Sequence, residues 1–488
     1  MNLQRIKELC KDTVVYGLGT LGTKGIGFLL IPLYTRFLTP GDYGVLALVN
    51  MWGAAIGVVI GLGQHRAVFR YYFKESQREG GQEEVLSTFL TLALAMSLVV
   101  AAIVAFARPL ARFTLGNASF ATLIILVTGI NYLNLFRKAP LVIIRARRWT
   151  GRYSMLAMSR TLVTITLIVY FVVARNQRVL GVLTGQAISA VLFTALLSVL
   201  FLRHIRPRFS APMVRKLLAF GLPFVMGDLL LLVFRYSNRY FLSTLASVDQ
   251  VGQFSLGNRF GEIILLLNTA IQTAWPVFLY GSERDEGAPR LYSRAMTYYL
   301  ATIGFAGVGI VLFSPEIYRL MVHPRFNPSM SIIPIAVVTY IFMGVNVFGN
   351  VGIHLKEKTQ YYMVATGTSA AVSVGLNILL IPFYGIRGAA VATLGAYATQ
   401  AGLTLWISRR LYPISYEIRR IGIIAGVMIG AAALGRVVDW GGPGVTVTAK
   451  AALWVVGVPA ALFVLRFFTV EERQRAGIMA RRLLRGPR

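Results

Sequence analysis

Apolar stretches about as long as the hydrocarbon core of a bilayer is thick recur along the whole chain, separated by short polar punctuation. Fourteen are counted, at about 13–37, 43–65, 86–107, 118–137, 153–174, 179–202, 217–241, 251–279, 293–314, 329–350, 361–382, 387–408, 420–437 and 446–466. Roughly 20 helical residues cross about 30 Å of hydrocarbon. In lipid every backbone N–H and C=O must be satisfied within the protein, so a span is a helix or a strand of a closed barrel. These stretches lack the period-two alternation of barrel strands. The expected class is therefore an all-α integral membrane protein with about fourteen transmembrane helices. The stretches at 118–137 and 420–437 are the weakest; without them twelve or thirteen spans remain.

Composition agrees. Only 14% of the 488 residues are charged, where a soluble protein uses roughly a quarter, and the mean hydropathy is +0.65. The formal charge is nonetheless +30, from 49 Lys and Arg against 19 Asp and Glu. Such a balance can mark a nucleic-acid binder, but no binding motif accompanies it, and the basic residues cluster between apolar runs, where they orient a membrane protein and meet anionic headgroups. With the N-terminus placed inside, connections on the cytoplasmic side hold 34 basic residues and those on the other side 9. The positive-inside rule thus puts both termini in the cytoplasm. No cleavable leader is read, because the first apolar run contains Lys24, Pro32 and Arg36 and no small-residue cleavage site follows it. Cys10 is the single cysteine and permits neither an intramolecular disulfide nor a thiolate metal cluster. The basic tail through Ala480-Arg481-Arg482-Leu483-Leu484-Arg485 reads as an interfacial helix lying on membrane lipids.

A weak internal repeat divides the chain. Tyr16-Gly17-Leu18 resembles Phe220-Gly221-Leu222, and at the same offset of 204 Phe37-Leu38 meets Phe241-Leu242. After a loop longer by four residues, Asp42-Tyr43-Gly44 through Asn50 meets Gln250-Val251-Gly252 through Asn258. The Gly181 region likewise resembles the Gly388 region. Six helices per half give both halves one orientation, related by an axis along the membrane normal with a cavity between them. The expected parts are an N-terminal lobe (1–206), a C-terminal lobe (207–412), and two further helices with the basic tail (413–488).

Ionisable groups inside a bilayer are costly unless they face a cavity or a partner. The candidates are Lys24, Arg160, Asp228, Arg235, Arg239, Arg259 and Glu262, with Arg66 and Arg70 at the cytoplasmic end of the second span. Asp228, Arg235 and Arg239 are spaced by seven and four, so they share a helix face, and Arg259 and Glu262, three apart, share another. An excess of Arg and Lys facing water between two lobes would attract an anion such as a phosphate or diphosphate. Lys24, Arg66, Arg70, Arg235, Arg239 and Arg259 are the expected substrate cradle, with Asp228 and Glu262 as counter-ions or coupling groups. The bland alternative is snorkelling to the headgroups, favoured for Arg36, Arg66, Arg70 and Arg160. Pro32, Pro223, Pro276, Pro334 and Pro382, with the glycines of the first span, allow bends in helices that rock between states. Enzyme signatures are missing: His65, His204, His323 and His354 lie far apart without ligand spacing, there is no Walker A sequence, and no cofactor is implied.

The stretch Lys11-Asp12-Thr13…Tyr16-Gly17-Leu18-Gly19, followed by Ile31-Pro32-Leu33-Tyr34-Thr35-Arg36-Phe37-Leu38-Thr39-Pro40-Gly41-Asp42-Tyr43-Gly44, resembles bacterial polysaccharide-biosynthesis flippases of the Wzx type. These belong to the multidrug/oligosaccharidyl-lipid/polysaccharide exporter superfamily. Phe220-Gly221-Leu222-Pro223, Arg235-Tyr236-Ser237-Asn238-Arg239-Tyr240-Phe241-Leu242 and Ile381-Pro382-Phe383-Tyr384-Gly385-Ile386-Arg387-Gly388-Ala389-Ala390 extend the likeness to about the twelfth span. The resemblance implies two six-helix lobes plus two helices, and alternating access. Its implied substrate is a polyprenyl diphosphate-linked oligosaccharide moved to the outer leaflet for surface polysaccharide, and a polysaccharide polymerase is a candidate partner. Asn238 departs from the Asp expected beside the arginine, which puts ion coupling at that position in doubt. A cation-coupled drug antiporter of the same fold is the main alternative, disfavoured by so few membrane carboxylates. A polymerase or ligase acting on the same lipids is a further one, disfavoured by the lack of a large extracytoplasmic loop.

Overall fold

The computed structural model describes Phe28, residues 30–147, 149–202, 209–437 and 443–469, and Glu472 and Gln474. Lys24, Cys10, the glycines of the first span and the interfacial tail at 480–485 lie outside the described residues. Among the described residues the regular structure is all helical. Twelve helices among the described residues are long and apolar enough to cross a membrane. The longest, Gln360–Leu411, is two helices meeting at Gly385 (φ 52°, ψ −125°), so it supplies both of the spans expected at 361–382 and 387–408. Both weak stretches are among the twelve, as Ala118–Ile144 and Ile418–Arg436. Of the first expected span only its last turns are described.

The helices group into two compact units. One comprises residues up to 259 together with 321–332 and 363–396. It holds α1 (Ile31–Phe37), α2 (Pro40–Gly61), α3 (Gln64–Lys74), α4 (Gly81–Ala105), α5 (Ala107–Leu115), α6 (Ala121–Ala146), α7 (Thr150–Val169), α8 (Arg178–Leu202), α9 (Ala211–Leu245) and the start of α10 (Val248–Gly281). Here α6 is central and packs on α2, α4 and α8, while α9 lies along α2 and α3. A π-helical turn, Tyr170–Ala174, ends α7. The other unit holds the rest of α10, α11 (Ala288–Met321), α12 (Ile333–Gly349), α13 (Val351–Leu355), the ends of α14 (Gln360–Leu411), α15 (Ile418–Val437), α16 (Pro443–Ala452) and α17 (Val458–Val464). Within it Lys450 of α16 forms an ion pair with Glu316 of α11 (2.6 Å), 9% and 28% exposed. The Trp454 indole N–H donates to the Phe305 carbonyl (2.8 Å). Those contacts hold the last helices on α11.

The starts of α2 and α10 are both capped by a hydroxyl side chain. Thr39 caps α2: its hydroxyl accepts from Asp42 N–H (3.1 Å), and the Asp42 carboxylate accepts from Thr39 N–H (3.0 Å). Ser247, 208 residues on, caps α10 by accepting from Gln250 N–H (3.3 Å). Such caps satisfy amides that the first helical turn leaves without intrahelical partners. The contact between these helix starts is reciprocal: Gly44 abuts the Val248 carbonyl and Gly252 abuts the Pro40 carbonyl. A Cβ at either glycine would collide with backbone. The next stretches correspond too, since Asp42 approaches Arg178 (3.7 Å) and Gln250 approaches Gly385. Arg178 and Gly385 both have positive φ (42° and 52°).

Candidate functional site

The backbone breaks between α2 and α3 because Leu62 and Gly63 are left-handed (φ 44° and 64°). Gly63 rests directly on the Gly221 carbonyl, and Gly221 on that of Leu62, an approach that only residues without a Cβ permit. Beyond the break, α3 presents Arg66, Arg70 and Lys74 at intervals of four, one face of a helix. The facing helix, α9, presents Asp228, Phe224, Phe220 and Lys216 at the same interval and runs the other way. Pro223 within α9 has no N–H to bond the carbonyl of residue 219.

These two ladders mesh. Arg66 donates from both terminal nitrogens to the Asp228 carboxylate (2.9 and 3.2 Å), and its guanidinium lies over Phe224 (4.7 Å). Arg70 lies over Phe220 (4.6 Å), whose ring meets Tyr71 edge-on (6.2 Å). Lys216 reaches Glu75 (3.4 Å). The bidentate pair is charge-assisted and geometrically exacting; the aromatic rungs add about 0.5–2 kcal/mol each by cation–π attraction. We call this the basic end of the unit.

Additional cations stand behind the zipper. Lys138 of α6 lies close enough to both Asp228 and Arg137 for their charges to act on it. Arg137 in turn feels Arg160 of α7, which donates to the Asn134 side-chain carbonyl (3.3 Å). Asp228 is thus the carboxylate in a neighbourhood rich in cations. Sequence reasoning counted Arg137 and Lys138 among connecting residues because the span was drawn to end at 137; α6 continues to Ala146. It also passed over Gln64, fully buried at the α2–α3 break with neither amide atom hydrogen-bonded among the described residues.

At the opposite end of the same unit, Arg325 donates to the carbonyls of Thr35 (2.7 Å) and Arg36 (2.6 Å), the last turn of α1, whose carbonyls have no intrahelical partner. The Thr35 hydroxyl donates to the Met321 carbonyl (3.3 Å). Tyr43 packs edge-on between Tyr34 (6.2 Å) and Phe326 (6.0 Å), with Arg259 over its ring at 5.8 Å.

The expected cradle is therefore distributed. Arg66 and Asp228 meet, and Arg70 stands one turn away. Arg239 donates to Ser255 (3.3 Å) and lies over Tyr236 (5.0 Å). Arg259 belongs to the aromatic group at the far end. Arg235 is exposed, and neither it nor Glu262 makes an ion pair among the described residues. Asn238, 4% exposed, donates to Thr393 (3.0 Å), and neighbouring Ser237 bonds Ser373 (3.1 Å), so neutral hydrogen bonds tie α9 to α14 where an acid was expected.

Comparison with known proteins follows this geometry. The chain is 27% identical over 194 residues to the probable low-salt glycan biosynthesis flippase Agl15 of Haloferax volcanii, covering 37% of this chain and 41% of the relative. It is 26% identical over 254 residues to the probable lipid II flippase MurJ of Rhizobium meliloti, covering 48% and 46%. The matches thus span under half the length of these curated relatives. In fold it is similar to a lipid II flippase MurJ in an inward closed conformation, with a TM-score of 0.75 over 93% of this chain and 99% of that one at 14% identity. It is also similar to an inward-facing multidrug resistance MATE family transporter, TM-score 0.63 over 85% and 96% at 16% identity. The polysaccharide biosynthesis protein family matches residues 9–280, more than half of the sequence, and the chain belongs to that family.

Proposed function

We propose that this multi-pass membrane protein is a flippase that carries a polyprenyl diphosphate-linked oligosaccharide from the cytoplasmic to the outer leaflet for cell-surface polysaccharide. The observation that carries the reading is the cation-rich neighbourhood of Asp228, where Arg66, Lys138 and, behind them, Arg137 and Arg160 outnumber the carboxylate. A diphosphate would compete with Asp228 for Arg66 through the same planar donor fork. The flippases among its relatives support the lipid-linked glycan as cargo. In this reading the basic end faces the cytoplasm of a bacterial inner membrane, both termini lie there, and a polysaccharide polymerase receives the product. The two chain-order lobes, 1–206 and 207–412, rock in alternating access; the reciprocal Gly44 and Gly252 contacts support their relation. Lys24, Arg66, Arg70, Arg235, Arg239 and Arg259 guide the diphosphate, and Asp228 and Glu262 serve as counter-ions.

Cells carrying Arg235→Ala, Arg239→Ala or Arg259→Ala are expected to lose surface polysaccharide while the protein level stays normal. Normal display in all three would sink the arginine cradle. The second reading, a cation-coupled drug antiporter, has the MATE-like fold in its favour, but its acceptor carboxylate Asp228 is engaged by Arg66. In a deletion strain, drug sensitivity with intact glycan display would reverse the order of the two readings.

A further inference from the structure

Beside the last rungs of the zipper lies an open surface pocket of about 820 Å³ lined by Tyr71, Arg215, Lys216 and Phe220, with Ala211, Pro212 and Ala219. That volume lies within the usual range of small-molecule sites. Arg215 and Lys216 are exposed at its mouth. Arg70 is held above it on the Phe220 ring, and Lys74 stands 5.9 Å from the Tyr71 ring. Two cations, Arg215 and Lys216, therefore line the opening, with Arg70 and Lys74 against the outer rings of Phe220 and Tyr71, and among the described residues Lys216 meets the Glu75 carboxylate. Phe220 occupies one face of the Arg70 guanidinium and leaves its edge donors for a ligand.

We propose that this cavity is a loading site for a phosphate or diphosphate group carried on a lipid, which Arg215 and Lys216 capture before Arg70 and then Arg66 receive it. The ladder supplies the path: from Lys216 to Asp228 along α9, and from Lys74 to Arg66 along α3, each step is four residues, about 6 Å of helix rise. Planar Arg forks suit a phosphate's paired oxygens, and Lys provides a point charge to draw it in. The edge-on Tyr71 and Phe220 rings beside the cations offer an apolar surface to the isoprenoid next to the diphosphate. The inference rests on the flippase reading for its direction of travel, but the site itself is defined by binding alone.

The test uses the full-length protein in lipid nanodiscs, with farnesyl diphosphate as probe and inorganic pyrophosphate or phosphatidylglycerol as competitor. Farnesyl diphosphate is expected to bind and to be displaced by pyrophosphate. The double substitution Arg215→Gln with Lys216→Gln is expected to weaken binding about tenfold or more, the scale of lost charge-assisted hydrogen bonds. Glu75→Gln, which frees Lys216, is expected to tighten it, a gain that misfolding cannot mimic. Unchanged binding in the double variant, or no tightening in Glu75→Gln, would overturn the site. Displacement by phosphatidylglycerol but not by pyrophosphate would assign the patch to bulk headgroups and overturn it as well. If the cradle variants lose glycan display while the cavity variants bind normally, the loading site alone fails. Cavity-dependent binding alongside drug sensitivity and intact glycan display in a deletion strain would leave the site standing and remove the flippase reading.

Discussion

Gln64 shows how a single residue can point to a second conformation. Its amide is fully buried beside the α2–α3 break, and among the described residues neither its oxygen nor its nitrogen finds a partner. Burying an unsatisfied polar group costs about 1–3 kcal/mol. An α3–α9 contact that bears such a cost favours a second arrangement in which the amide is wetted or bonded. Gln64→Leu keeps the approximate volume and removes the penalty. It is therefore expected to raise the thermal midpoint of the purified protein while slowing transport, because it favours the closed arrangement. A lower midpoint would mean that the amide is stabilising where it stands. Neither Gln64 nor the pairing of Arg66 with Asp228 was legible in the sequence. Helical spacing tells which residues share a face, but not which helix that face meets. Arg235 illustrates the other side: spacing grouped it with Asp228, whereas Asp228 turned to α3.

Breaks matter more than lengths among the elements. Hydropathy located the spans well, since each needs only apolar composition over a fixed thickness. It said nothing of where a span stops behaving as one rod. The α2–α3 break at Leu62–Gly63 and the break at Gly385 both depend on left-handed backbone, which a glycine permits and does not announce. It also missed the inward extent of α6, because Arg137 and Lys138 look like loop residues until the helix is seen to pass beyond them. Gly63→Ala tests what the first break is for. An alanine there suffers the left-handed φ, about 1–2 kcal/mol, and its Cβ meets the Gly221 carbonyl. The expected result is a basic end that fails to close, read as greater labelling of a cysteine placed at Phe220, with the far end unchanged. Equal labelling in the parent and the variant would show that α3 and α9 come together without this glycine contact.

At the scale of the whole molecule the repeat gains its physical sense from pairs that exchange partners. Gly44 meets the carbonyl of Val248, and Gly252 meets that of Pro40, each residue 208 positions from its counterpart. A self-complementary contact of this kind is what a two-fold relation between similar halves produces. One unit also brings chain-distant helices together at both of its ends, through Tyr71 with Phe220 at one and Tyr43 with Phe326 at the other. Those ring pairs have centroids 6.2 and 6.0 Å apart, close enough for a short bifunctional reagent to join cysteines put in their places. Alternating access requires that the two ends open in turn. With Cys10 replaced by serine, cross-linking Tyr71→Cys to Phe220→Cys should stop flipping in reconstituted vesicles. Cross-linking Tyr43→Cys to Phe326→Cys should stop it equally, and cleaving a reducible linker should restore both. If one end tolerates the link, the cargo passes without that end opening, and rocking about a shared axis gives way to a path along a single side of the protein.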